Sequence, residues 1–251
     1  WLHTGHGSIN LHAAISQSCD VYFYEISNQI GIDRMHQYLD AFGLGQKTNV
    51  ELTGERIGLI PSTKWKQNMF RREEDKIWYP GETVIASIGQ GYMLATPLQL
   101  ANATAALATR GKRFQAKLIL ATEDPINKEK KYKNSTQLND IEISNQKYWE
   151  EVVSAMHNVM QGNGTAQNAG LDAPYRMAGK SGTVQVISVG QEEEYDETLL
   201  EERFLDHALF VAFAPLENPK IAVSVIVENG QSGSRVAAPI ARAIMDKYLG
   251  Y

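Results

Sequence analysis

The feature that most limits the folds open to this chain is a change of period near residue 175. Before it, apolar residues recur at helical spacing; after it, they come in short, β-branched or alternating runs. Residues 207–215 and 220–228 read as two strands joined by a turn at Asn218-Pro219, and 183–189 reads as a third, preceded by an extended piece at 175–178. Residues 237–249 close the chain as a helix. Helices first, then an antiparallel sheet with a final helix packed on it, make an α+β fold.

Within the helical part, Leu11, Ala14 and Ile15 give a turn or two ending near Ser16. Val21, Tyr22, Tyr24, Ile26 and Ile30 form a stronger amphipathic helix, for which Asp20 is a suitable N-cap. A third helix over 32–42 is closed by Gly43. Thr96 caps a fourth, with Pro97 at its first position and Gly111 as its stop. Residues 147–160 are helical, 114–122 alternate as a strand, and 162–166 form a turn. Residues 45–81 lack periodicity and are expected to be a long, partly extended excursion; 123–140 read as an exposed loop and 192–202 as an acidic, solvated one.

At 251 residues and 43% hydrophobic, the chain can bury the core of one large domain without disulfides, and its single cysteine could form none within the chain. A net charge of −5 and no basic stripe speak against nucleic-acid binding. No apolar run approaches the ~18 residues of a bilayer span. Because it starts with Trp1 inside a polar, glycine-rich stretch, the chain is expected to be part of a longer one, with any anchor or export signal upstream.

Two polar clusters carry the chemistry. Lys180-Ser181-Gly182-Thr183 puts an ammonium and two hydroxyls beside a glycine at the start of a β-branched run. Such a set can hold a substrate carboxylate and shape the field around a nucleophile. Gly182 leaves room for a peptide backbone to lie along the strand, and the Thr183 amide is a candidate oxyanion-hole donor. About 160 residues earlier, Ser18-Cys19-Asp20 lies at a helix-to-helix junction. Alone it reads as a polar helix cap; with the lysine cluster, Ser18 is a candidate proton shuttle and Asp20 a candidate substrate-orienting group. Ser144-Asn145-Gln146-Lys147 formally matches Ser-x-x-Lys but follows a charged loop, with no apolar helix around its serine. Gly89-Gln90-Gly91 and Gly162-Asn163-Gly164 lack a phosphate-loop lysine and read as tight backbone packing. His3, His6 and Cys19 are zinc-ligand types, although His6 and Cys19 together do not close a tetrahedral site.

The order Ser-x-Asp then Lys-Ser-Gly-Thr resembles the second and third motifs of the penicillin-recognising serine enzymes. The stretches 17–24, 35–45, 88–92 with 95–99, 163–166, 178–186 and 206–215 together resemble the class B, elongation-type penicillin-binding proteins, over nearly the whole chain. That resemblance implies a penicillin-binding, serine β-lactamase-like transpeptidase fold, of which residues 1–251 form the C-terminal two-thirds, with anchor, pedestal and nucleophile motif upstream. It also implies a serine-type D,D-transpeptidase that cross-links peptidoglycan stem peptides, needs no cofactor for catalysis and is trapped covalently by β-lactams. The implied catalytic residues are Ser18, Asp20, Lys180 and Thr183, with Lys180, Ser181, Gly182 and Thr183 binding substrate; this chain alone carries no nucleophile. The resemblance further implies a place on the periplasmic face of the inner membrane, a SEDS glycosyltransferase (RodA-like) and the elongation complex as partners, and a structural zinc with His6 and Cys19 among its ligands. A β-lactamase or D,D-carboxypeptidase of the same fold, or a non-catalytic penicillin-binding sensor, are the alternatives.

Overall fold

The computed structural model describes residues 5–187 and 200–251. Helices α1 (Leu11–Ser16), α2 (Asp20–Ile30) and α3 (Ile32–Ala41) open the chain, as expected from the sequence. Asp20 is not the cap of α2. Cys19 occupies that position without a side-chain bond, and Asp20 is the first helical residue, where its charge still favours the positive end of the helix.

The expected excursion over 45–81 contains helix α4 (Thr63–Met69), capped by the Ser62 hydroxyl, and a short 3-10 turn (Glu73–Lys76). What holds α4 is distant in sequence. Buried Lys66 pairs with Glu82 of α5 (Pro80–Ser87), donates to the Ile77 carbonyl at 2.7 Å, and lies near the rings of Phe70, Trp78 and Tyr79. An ion pair is tolerated in such a place because both charges are hydrogen-bonded.

Helix α6 (Pro97–Ala108) starts as the sequence indicates: Thr96 accepts from the Gln99 amide while Gln99 reaches back to the Thr96 amide, a capping box. The strand expected over 114–122 is not formed. Only β1 (Ala121–Glu123) pairs, with β2 (Lys130–Tyr132) inside the expected loop, and Phe114 makes an isolated bridge to Gln137. Leu118 and Leu120 stay exposed, so the alternation there has no buried face to stabilise a longer strand.

Helices α7 (Lys147–Val159) and α8 (Gln167–Gly170) lead into a three-stranded antiparallel sheet, β3 (Ala178–Val184), β4 (His207–Ala214) and β5 (Ile221–Val227), in the order β3-β4-β5. Strand β3 takes in Ala178 and the whole lysine cluster, while 175–177 and 185–187 are not strand; 188–189, most of the acidic loop at 192–202, and His3 lie outside the described residues. Central β4 is buried along one face and at Phe213 on the other, where Leu209 and Val211 are half-buried. Ala208, Phe210 and Ala212 face Ala241 and Met245 of α9 (Ala238–Leu249), while Phe213 meets Ala108 of α6 and Val153 and Met156 of α7. Two packed faces explain why this strand reads as a nearly continuous apolar run. Among the described residues β3 pairs only with β4, so its other edge is open. No helix among the described residues is long and apolar enough to cross a membrane.

Candidate active site

The site forms where the end of α1 meets the open edge of β3. Helix α1 stops in a Schellman turn: the Cys19 amide donates to the Ala14 carbonyl at 2.9 Å, and the Ser18 amide to that of Ile15 at 3.3 Å. The residue between must be left-handed, and it is a serine rather than a glycine, at φ +54°. A non-glycine residue in that region costs about 1 kcal/mol. The reward is orientation, because the turn aims the Ser18 hydroxyl at β3.

There it meets Lys180. The Lys180 ammonium donates to Ser18 Oγ at 2.5 Å and to the Ser181 carbonyl at 2.9 Å, joining the two sequence clusters across 162 positions. Burial pulls the Lys180 pKa from 10.5 down to about 8, and the Asp20 carboxylate opposes that fall without cancelling it. A lysine so placed is protonated at neutral pH yet close enough to titration to take part in proton traffic.

The remaining motif residues stand along the same strand. Ser181 Oγ is 3.2 Å from Thr165 Oγ1, and the Thr165 amide donates to the Ser16 carbonyl at 3.2 Å. The turn at 162–166, whose glycines read from sequence as tight packing and whose residues 163–166 share in the family resemblance, therefore stitches α1 to β3 at the site. Packing is present too: a Cβ on Gly164 would lie 2.0 Å from the Asn158 carbonyl oxygen. Exposed Thr183 donates its hydroxyl to the Gln231 carbonyl at 3.4 Å, and its own carbonyl accepts from Gln90 Nε2 at 3.4 Å. Gly89-Gln90-Gly91 is thus also a neighbour of the lysine strand, a role its sequence did not announce. At Gly182 a Cβ would meet only Leu209 Cβ at 3.4 Å, an ordinary contact, so the chain's own packing does not demand glycine there. The decoy Ser144 and Lys147 are exposed at the entry to α7.

His6, Cys19, Asp20 and Glu25 line one cavity of about 480 Å³. Among the described residues, however, no three His, Cys, Asp or Glu side chains gather as a group able to hold a metal ion. A tetrahedral zinc needs four ligands. The residues present do not fit a complete zinc centre.

Comparison with known proteins agrees with this geometry. The family model described as the penicillin-binding protein transpeptidase domain matches residues 1–246. Peptidoglycan D,D-transpeptidase MrdA of Haemophilus influenzae is 42% identical over 250 residues, covering 99% of this chain and 38% of the relative. The crystal structure of Pseudomonas aeruginosa PBP2 in complex with WCK 5153 superposes with a TM-score of 0.82 at 41% identity, covering 99% of this chain and 51% of that one. Helicobacter pylori PBP2, in its complex with MreC, gives a TM-score of 0.81 at 31% identity, over 100% of this chain and 42% of its own. The chain thus spans well under half the length of the curated relative. A match of this extent, over a site where both motifs meet, makes the chain a member of the penicillin-binding protein transpeptidase family, in its class B branch.

Proposed function

We propose that this chain is the C-terminal part of the transpeptidase domain of a longer peptidoglycan D,D-transpeptidase. The observation that carries the reading is the Lys180–Ser18 hydrogen bond, which couples the two motifs into one polar center. In this reading the nucleophilic serine and its lysine come from residues upstream of Trp1. Protonated Lys180, with the hydroxyls of Ser181 and Thr183, holds the terminal carboxylate of a stem peptide laid against the open edge of β3. As the nucleophile attacks the D-Ala–D-Ala carbonyl, the Thr183 amide donates to the oxyanion and Ser18 relays a proton to the departing amine of the terminal D-Ala. Asp20 orients the peptide, and Gly182 keeps the strand accessible to it. The amine of a neighbouring stem peptide then takes the acyl group, completing the cross-link. β-Lactams enter by the same route and remain on the nucleophile.

The test is labelling of the longer protein with a fluorescent penicillin. A long-lived adduct is expected, with Lys180→Ala greatly reducing its formation; a folded protein that takes no label overturns the proposal. Rapid turnover of the drug would point instead to a β-lactamase.

The MreC complex of the Helicobacter pylori relative supports placing the protein in an elongation assembly. We extend this to a SEDS glycosyltransferase partner and to the periplasmic face of the inner membrane, reached through an upstream anchor. A structural zinc rests on resemblance alone and requires donors besides His6 and Cys19. Metal content of the longer protein, wild type against Cys19→Ser, decides it, and equal stoichiometry removes Cys19 from the ligand set.

A further inference from the structure

Two of the protein's own donors already sit on the open edge of β3. In an antiparallel ladder each residue turns its N–H and C=O to one side, and successive residues alternate between the partner strand and the far side. Ser181 and Thr183 stand two apart, so they share one orientation. Their carbonyls accept from side chains that do not belong to β4: Ser181 from the Lys180 ammonium at 2.9 Å, Thr183 from Gln90 Nε2 at 3.4 Å. Both residues therefore face the open edge.

Gln90 reaches that edge from 93 positions away. Half-buried, it stands in the turn that ends α5, where its amide donates to the Ile85 carbonyl at 3.2 Å and the Gly89 amide to that of Ala86 at 3.0 Å. Gly89 at φ +80° and Gly91 at φ +69° flank it in the left-handed region. A Cβ on Gly89 would meet nothing within 4 Å, so that position requires the backbone conformation rather than the space. The turn thus aims the carboxamide at β3. Its bond there is exposed and longer than the roughly 2.7–3.2 Å usual for N–H···O, so it is readily surrendered.

A stem peptide laid on this edge needs the same oxygen. Opposed antiparallel residues of a hydrogen-bonded pair exchange both of their bonds. When the residue bearing the scissile carbonyl turns that C=O to the Thr183 amide, its own N–H must therefore face the Thr183 C=O. It arrives at an oxygen that Gln90 holds.

We propose that Gln90 is a displaceable guard of the substrate edge: its carboxamide occupies the Thr183 carbonyl while the groove is empty and yields it to the backbone N–H of the bound stem peptide. The inference rests on the transpeptidase reading above. An unrelated strand only exchanges one hydrogen bond for another at this oxygen, with little net gain. A peptide with a terminal carboxylate adds a charge-assisted bond to Lys180 and so displaces the guard.

The experiment uses the longer protein and a dye-labelled peptide ending in D-Ala-D-Ala, with binding read as initial fluorescence anisotropy before turnover. Gln90→Met keeps the side chain's length without its donor, and Gln90→Ala removes most of it. Both variants should bind the peptide about two- to tenfold more tightly than wild type, the span of one modest hydrogen bond, with unchanged melting as evidence of folding. A depsipeptide with an ester oxygen in place of the N–H on the residue bearing the scissile carbonyl should bind all three proteins about 5- to 100-fold more weakly, because the Thr183 oxygen then gains no donor. Equal or weaker peptide binding by the variants would make Gln90 a support of the strand and overturns the proposal. Indifference to the ester, or no peptide binding by any of the three, overturns it as well. Fluorescent penicillin on the same samples reports the transpeptidase reading separately: if wild type takes no label that reading falls, and the peptide affinities still decide the guard.

Discussion

Lowering the Lys180 pKa has a consequence for rate that can be worked out from the site. If the protonated ammonium holds the ligand carboxylate, acylation tracks the fraction protonated. With a pKa of about 8, that fraction falls from about nine-tenths near pH 7 to about one-tenth near pH 9, a drop of about tenfold. A lysine left at 10.5 would lose only about 3% over the same range. The assay is the second-order rate of fluorescent-penicillin acylation of the longer protein across this interval, on wild type and Lys180→Arg. Arginine does not titrate here, so the basic limb near 8 should vanish in the variant even if the rate is lower throughout. Stability supplies an independent check whose sign is fixed. Below about pH 8 both folded and unfolded states hold the proton, and the folded state bears the full penalty. Between about 8 and 10.5 the folded state releases it first, so stability rises with pH; above 10.5 the penalty is gone. The penalty is about 3 kcal/mol at most, and about 2 after allowing for the partial exposure of Lys180. Lys180→Met lacks it, so its stability advantage over wild type should shrink by about 2 kcal/mol across the window. A basic limb at 10 or above, or one that persists in Lys180→Arg, refutes the reasoning.

Three other perturbations test neighbouring parts of the structure. Ser18→Gly and Ser18→Ala both delete the hydroxyl, but only glycine relieves the positive φ, so the glycine variant should be more stable by about 1 kcal/mol, or about 2–4 °C in Tm; equal melting would mean the turn stores no strain. Thr165→Val removes the contact to Ser181 while keeping the backbone bond to Ser16, and should slow acylation about two- to tenfold with little change in melting. Phe210→Ala empties the middle of the α9 face of the sheet, and denaturant unfolding should show a loss of about 3–5 kcal/mol.

Much of this molecule was legible because its signals are local. The Thr96-Pro97 start of α6, the left-handed Gly43 after α3, the apolar run of β4 and the β-branched run of β5 each act within a few residues, and each element formed where expected. Helix α4 was hidden because its stability comes from Glu82 and the rings around Lys66, partners that no window of 45–81 contains in full. The strand over 114–122 failed for the opposite reason: its alternation is real, but tertiary structure gives neither face a core. Residue preference makes Asp20 a suitable cap, whereas the Schellman turn before it fixes where α2 begins. At the site, Ser18 and Lys180 could be paired because their motif order resembles a known one. The stretches that hold Thr165 and Gln90 belong to the same resemblance, but their contacts with β3 are not legible, because each reaches the strand from a separate turn and only folding brings them together.

The exposed border of β3 has a cost beyond its usefulness to a substrate. A strand bordered on one side only is a template for any extended chain, another copy of the protein included. Here the border is written almost wholly in Lys, Ser, Gly and Thr, with no bulky apolar side chain from Lys180 to Thr183 to reward an indiscriminate visitor. In the proposed reading, selectivity between a short acidic peptide and a stray β-strand is thereby set by charge: what the border accepts must bring a carboxylate to a lysine that has been deprived of water.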